Sequence, residues 1–278
     1  MSTQILTVAG RSGARYSKER VPASVIPHHE TITPAVVVRT RAFGESDKIV
    51  TFLTRDLGKI AGIAKGAQRS KRRFVNVLET FTHVDVTLRV RAGSDLAFVN
   101  ACVLRDAPIS LARDLVKFAY ASYVLELTDR MVREREAGPE TYELVRDAIA
   151  LLENGDAEPG VLRAFELHLL RLTGYEPELA HCRRCGTGSA SGVAMYVHPA
   201  RGGVLCGRCR GDGRAYLASQ AVLERLIAFQ RLHFDASDGE RFRLAPSMAA
   251  EARALVRCFF AANLTAPLAS ERFLESLG

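Results

Sequence analysis

The chain has 278 residues, 47% of them apolar and 25% charged, close to the globular average, which excludes a disordered or fibrous chain. At about 150 residues per domain the length points to two domains. No run of about 18 apolar residues occurs, and residues 1–30 lack the apolar stretch of a secretory signal, so a cytoplasmic protein is expected.

Net charge is +7, and it is unevenly spread. Residues 34–106 hold 13 Lys/Arg against 7 Asp/Glu, residues 1–33 hold 4 against 2, and residues 107–278 hold 21 against 22. The basic character therefore belongs mainly to one segment, which favours a polyanionic partner there over a merely solvated face.

In chain order, residues 1–33 mix Gly, Ser, Pro, His and Arg without periodicity and read as a mobile basic extension ahead of the fold. Short β-branched runs follow at 35–41, 48–54 and 59–65, separated by turn residues. The clearest strand is 82–91, where Val84, Val86, Leu88 and Val90 alternate with Asp85, Thr87, Arg89 and Arg91. A last run covers 96–104. Five short strands in this span suit a small barrel of the OB type over residues 34–106, with a flat, covered sheet as the alternative.

Beyond Pro108 the period becomes helical. Ser110 reads as the cap of a helix reaching about Arg135, with Leu111, Leu115, Phe118 and Leu125 on its apolar face. Gly138-Pro139 separates it from a second helix, and a third ends at Gly174. Two more helices read at 219–233 and 247–262. The expected architecture is α+β: a barrel at 34–106, then a mostly helical domain at 107–278 with a cysteine-bearing insert at about 180–212.

Cys182 with Cys185, and Cys206 with Cys209, are each a Cys-x-x-Cys pair, with 20 residues between the pairs. Two such turns place four thiolates around one ion, and the expected ion is zinc. Four sulfur ligands leave no open position, so this site is structural in expectation. His181 and His198 lie nearby and read as surface or supporting groups. Cys102 and Cys258 fall in apolar patterns and read as core residues.

Residues 65–74 place Lys65, Arg69, Lys71, Arg72 and Arg73 beside a Gly turn, the closely spaced cations that phosphate contacts need. Arg39, Arg41, Lys48, Lys59, Arg89 and Arg91 add charge from neighbouring strands and would line a groove if they share a face with the loop. Of the five phenylalanines in this segment, Phe74 reads as the one free to stack on a base. No phosphate-binding P-loop, zinc-protease motif or nucleophile elbow occurs, so no enzyme is expected.

The stretch 35–54, Gly58, the Ala64-Lys-Gly-Ala67 step, the Lys71-Arg-Arg-Phe74 loop and the 78–81 run resemble the N-terminal domain of the RecO family, bacterial recombination mediators. The helices and the paired cysteines resemble its C-terminal half more loosely. The resemblance implies an OB-fold joined to a helical domain with a zinc insert, and a non-catalytic DNA-repair function. It implies binding to single- and double-stranded DNA, annealing of strands coated by single-stranded-DNA-binding protein (SSB), and action with RecR to load RecA. It carries DNA contacts over to Lys65, Arg69, Lys71, Arg72 and Arg73, with Arg39 and Lys59, and zinc ligation to the four paired cysteines. A pocket for the acidic SSB tail is implied on the helical domain. The alternatives are an RNA-binding protein of translation or ribosome assembly, and an adaptor whose loop docks on an acidic protein.

Overall fold

A computed structural model describes residues 30–277 except 92, 137, 262 and 265. The extension expected over residues 1–29 lies outside the described residues.

Five strands form the N-terminal unit: β1 (Glu30–Phe43), β2 (Asp47–Thr54), β3 (Gly58–Ala64), β4 (His83–Arg89) and β5 (Leu96–Asp106). They close into a barrel in the order β1-β2-β3-β5-β4. The barrel, and not the flat sheet, is therefore the architecture. Residues 30–33, expected in the extension, belong to β1 and pair with Val86–Arg89 of β4. Thr33 is buried there, its hydroxyl donating to the Asp56 carboxylate at 2.7 Å, which fixes the strand's start.

The ring closes through β3 and β5, the parallel pair. Gly62 makes that closure possible: a Cβ there would stand 2.7 Å from Cγ2 of Val99. Inside the barrel lie Val37, Val50, Phe52, Ile60, Val86 and Leu88. The alternate residues of β1, Val36 and Val38, leave that interior and join Leu53 and Phe81 in the core of the helical domain. β1 is thus buried on both faces. At about 1.5–3 kcal/mol per buried aliphatic or aromatic side chain, these four residues weld the two units together.

The helical unit contains α1 (Leu115–Met131), α2 (Pro139–Asn154), α3 (Pro159–Leu172), α4 (Gln220–Arg231), α5 (Pro246–Phe260) and α6 (Ala269–Leu277). Pro139 and Pro159 occupy first-turn positions, where a missing N–H costs nothing. α3 is central, with every residue from Gly160 to Leu170 buried. Between α3 and α4 lies a small sheet of β6 (Met195–His198), β7 (Gly203–Cys206) and β8 (Tyr216–Ala218), in the order β7-β6-β8. Neither this sheet nor α6 was expected from the sequence.

The start of α1 differs from expectation. Asp114, not Ser110, caps it, its carboxylate accepting from the N–H groups of Val116 and Lys117. The Ser110 hydroxyl is instead held by Glu153 at the end of α2, 2.8 Å away. Shifting the start by four residues leaves Leu115 57% exposed and Phe118 40% exposed, whereas Leu111 and Leu125 are buried. Phe118 meets Phe81 edge to face at the junction with the barrel.

Candidate nucleic-acid interface and metal centre

The basic loop leaves β3 at Lys65 and turns at Gly66, whose φ of 69° suits glycine. Asp47 anchors the turn by accepting from the Gly66 N–H at 2.8 Å. That hydrogen bond, with a smaller part from the Ser46 hydroxyl, holds the Asp47 carboxyl below its usual range. The Ser70 hydroxyl accepts from the backbone N–H groups of Arg73 and Phe74. Arg73 also donates to the Lys65 carbonyl at 2.7 Å, so the loop closes on itself. Lys65, Arg69, Lys71, Arg72 and Arg73 are all exposed.

Phe74 does not match its expected role. Its ring is buried beneath the loop, with the Arg73 guanidinium 4.7 Å over it, and plugs the barrel end instead of facing a base. Phe43, at 49% exposure, and the half-buried Phe98 are the accessible aromatics of the segment.

The strand cations divide into two groups. Arg39 pairs with Asp129 at 3.5 Å, Lys48 with Glu79 at 3.1 Å and Arg105 with Asp85 at 2.8 Å. Lys59 is buried, and its ammonium donates to the Asp129 carbonyl at 2.5 Å and its carboxylate at 3.1 Å. The expected DNA contact at Lys59 is therefore corrected: the side chain points away from solvent and ties the barrel to α1. The shared groove holding all the strand cations does not form.

Arg89 and Arg91 instead gather with Lys65 around Phe98. The distances to the ring centroid are 5.4, 4.7 and 5.8 Å respectively. The register that opposes Arg89 to Phe98 across β4 and β5 brings the group together.

The cysteine site is built by the small sheet and the turn before it. Cys206 ends β7, Cys209 lies on the turn after it, and Cys182 and Cys185 bracket a turn in the segment between α3 and β6. The Gly186 N–H donates to the Cys182 carbonyl and the Cys209 N–H to the Cys206 carbonyl, folding each pair into a tight knuckle. All four Sγ atoms lie within 4.8 Å of one another, and those of Cys185 and Cys206 are 3.7 Å apart. A tetrahedron with metal–sulfur bonds of about 2.3 Å has edges of about 3.8 Å, so the cluster fits a four-coordinate ion. The Thr187 hydroxyl and N–H pull the Cys185 thiol down to about 6, whereas its hydrogen bond with Cys185 pushes the Cys209 thiol up to about 12.

His181 is exposed and lies beside Glu178, while His198 is buried outside the cluster. Burial pushes the Cys102 and Cys258 thiols up to about 12, in keeping with core positions. Among the described residues no helix is long and apolar enough to cross a membrane.

A closed barrel with an exposed cationic loop, fused to a helical body that carries a four-cysteine knuckle, defines a nucleic-acid-handling class of protein. Residues 29–108 match the family described as Recombination protein O N terminal, and residues 112–272 match Recombination protein O C terminal. The chain belongs to the RecO family of DNA repair proteins. It is similar to the DNA repair protein RecO of Anaeromyxobacter sp. (strain Fw109-5), 35% identical over 243 residues, covering 87% of this chain and 94% of that one. RecO of Nocardioides sp. (strain ATCC BAA-499 / JS614) is 35% identical over 245 residues, with 87% and 97% covered. RecO of Symbiobacterium thermophilum is 34% identical over 246 residues, with 87% and 95% covered.

Proposed function

We propose that this chain is a non-catalytic mediator of homologous recombination in the cytoplasm. It binds single- and double-stranded DNA through the barrel, anneals complementary strands coated by SSB, and acts with RecR to help load RecA. The observation that supports this best is the self-closed loop bearing five exposed cations. Cations on such a loop displace the counterions condensed on the phosphate backbone, which gives little sequence preference and steep salt dependence. Neutralising the phosphates of two strands lets complementary bases approach. In this reading the helical domain takes the acidic SSB tail, so that the coat loosens where pairing begins.

Cys182, Cys185, Cys206 and Cys209 would hold one zinc ion, which supplies a structural cross-link and no open coordination position. The deciding experiment is annealing of SSB-coated complementary strands by wild type and by the Lys71→Glu, Arg72→Glu, Arg73→Glu triple variant. Fast annealing by wild type and its loss in a folded variant is the expected result. A wild type that anneals nothing removes the mediator reading. Stronger binding to RNA than to DNA then favours the translation alternative, and no nucleic-acid binding at physiological salt favours the adaptor.

A further inference from the structure

We propose that Phe98 is a positioning residue that gathers Lys65, Arg89 and Arg91 into one clamp for the phosphates of a nucleic-acid strand. This deepens the DNA-binding reading above and rests on it.

Three like charges within 6 Å of one ring centroid repel one another, so something must hold them. Carboxylates do not. Whereas Arg39, Lys48, Lys59 and Arg105 each have an acidic partner, none of these three forms an ion pair among the described residues. The ring does the holding: its negative face attracts each cation, and its place opposite Arg89 on the outer face of the β4–β5 ladder fixes where they meet.

A second, independent observation points to a ligand. The Arg89 Nε is buried and has no hydrogen-bond partner among the described residues. An N–H withdrawn from water and left unpaired is costly unless an acceptor arrives. A phosphate supplies the charge that relieves the repulsion, and meeting the Nε requires the Arg89 guanidinium to swing outward onto its oxygens. Because the cations occupy the ring, Phe98 acts through them on the backbone and does not stack on a base. The clamp is thus neutral to sequence. Lys65 belongs both to it and to the basic loop, so one strand can run from the loop onto the β4–β5 surface.

The test uses the full chain and a fluorescent oligo-thymidylate, with affinity measured over a series of salt concentrations. Phe98→Leu is expected to weaken binding about fivefold while leaving the salt slope unchanged, since all three charges remain. Phe98→Tyr, which keeps the ring, should bind as wild type. On an abasic strand Phe98→Leu should lose the same factor; a loss confined to strands with bases overturns the clamp in favour of stacking.

A second comparison does not depend on the leucine variant folding. Lys65→Gln and Arg91→Gln sit at exposed positions, and each should lower the salt slope by about 0.7. Combined, they should lose less than the product of their separate losses, because they serve one ligand; strictly multiplicative losses overturn the proposal. If wild type binds, the triple loop variant fails and Phe98→Leu binds as wild type, this proposal alone falls. If wild type binds no strand, the DNA-binding reading falls and takes the clamp with it.

Discussion

His168 lies in the interior of the central helix, its Nε2 3.1 Å from the Phe229 carbonyl. Burial, helped by the charge of Arg171, pushes its pKa down to about 4. In the unfolded chain the same imidazole takes its proton near 6.5. Above that pH both states are neutral and the group contributes nothing. As pH falls from 6.5 to 4 the unfolded chain gains the proton first, which costs the fold up to about 3 kcal/mol. His83 adds in the same direction, its pKa lowered by burial and then by Arg105 and Arg146. The melting temperature should drop steeply between pH 6.5 and 4.5, and His168→Gln should flatten part of that slope. An unchanged slope in the variant would place the acid sensitivity elsewhere.

Other buried polar groups on α3 meet the same constraint by pairing. The Arg163 guanidinium donates twice to the Glu166 carboxylate, at 2.5 and 2.6 Å, and the Tyr123 hydroxyl donates to it at 2.5 Å. Burial alone would lower the Arg163 pKa, but Glu166 more than offsets it, so the pKa is raised. The carboxylate takes all three donors, so no member of the trio is left without a partner.

At the scale of elements, the small sheet is held by the cysteines and by Met195, Val197, Val204, Leu205 and Ala218, which join the helical core. Its strands are 3 to 4 residues long, too short to stand alone. Treatment of the purified protein with a strong chelator should release one equivalent of zinc. Amide protection should then vanish first over β6–β8, while β1–β5 keep theirs. Retention of protection across β6–β8 after the metal is gone would show that the sheet folds without it.

The same contrast explains what could be read from the amino acids. Val84, Val86, Leu88 and Val90 alternate over a full strand, and proline or glycine marks the ends of α2 and α3, so those elements were legible. The cysteine spacing announced the knuckle. The short strands β6–β8 and the nine-residue α6 carry too few periods to register. Ser110 is as good a cap as Asp114 locally, and only the Glu153 contact, 43 residues away, decides between them. The clamp was half visible. Arg89 and Arg91 share a strand face, but their meeting with Phe98 depends on a pairing register that the turn between β4 and β5 sets.

For the whole molecule the decisive residue is Lys59. Nothing near it in the sequence separates it from the exposed Lys65, yet it reaches across the junction to Asp129. Lys59→Gln should lower stability by about 2–4 kcal/mol, since it leaves Asp129 short of a partner in a poorly hydrated place. It should leave the affinity for single-stranded DNA within twofold of wild type. A large loss of DNA affinity with unchanged stability would instead return Lys59 to the binding surface. Asp129 also holds Arg39, so the junction, more than the strand-binding face, accounts for two of the cations that first suggested a groove.

β1 is a party wall. Val37 faces one interior and Val36 and Val38 the other, with a single backbone between them. A wall of this kind leaves no room for a hinge. Any tilt of the helices against the barrel has to carry this shared strand with it, across about one sheet-to-layer spacing of 10 Å. Two halves built on one strand are not tethered beads; they form a bracket, with the cationic loop at one end and the helices at the other.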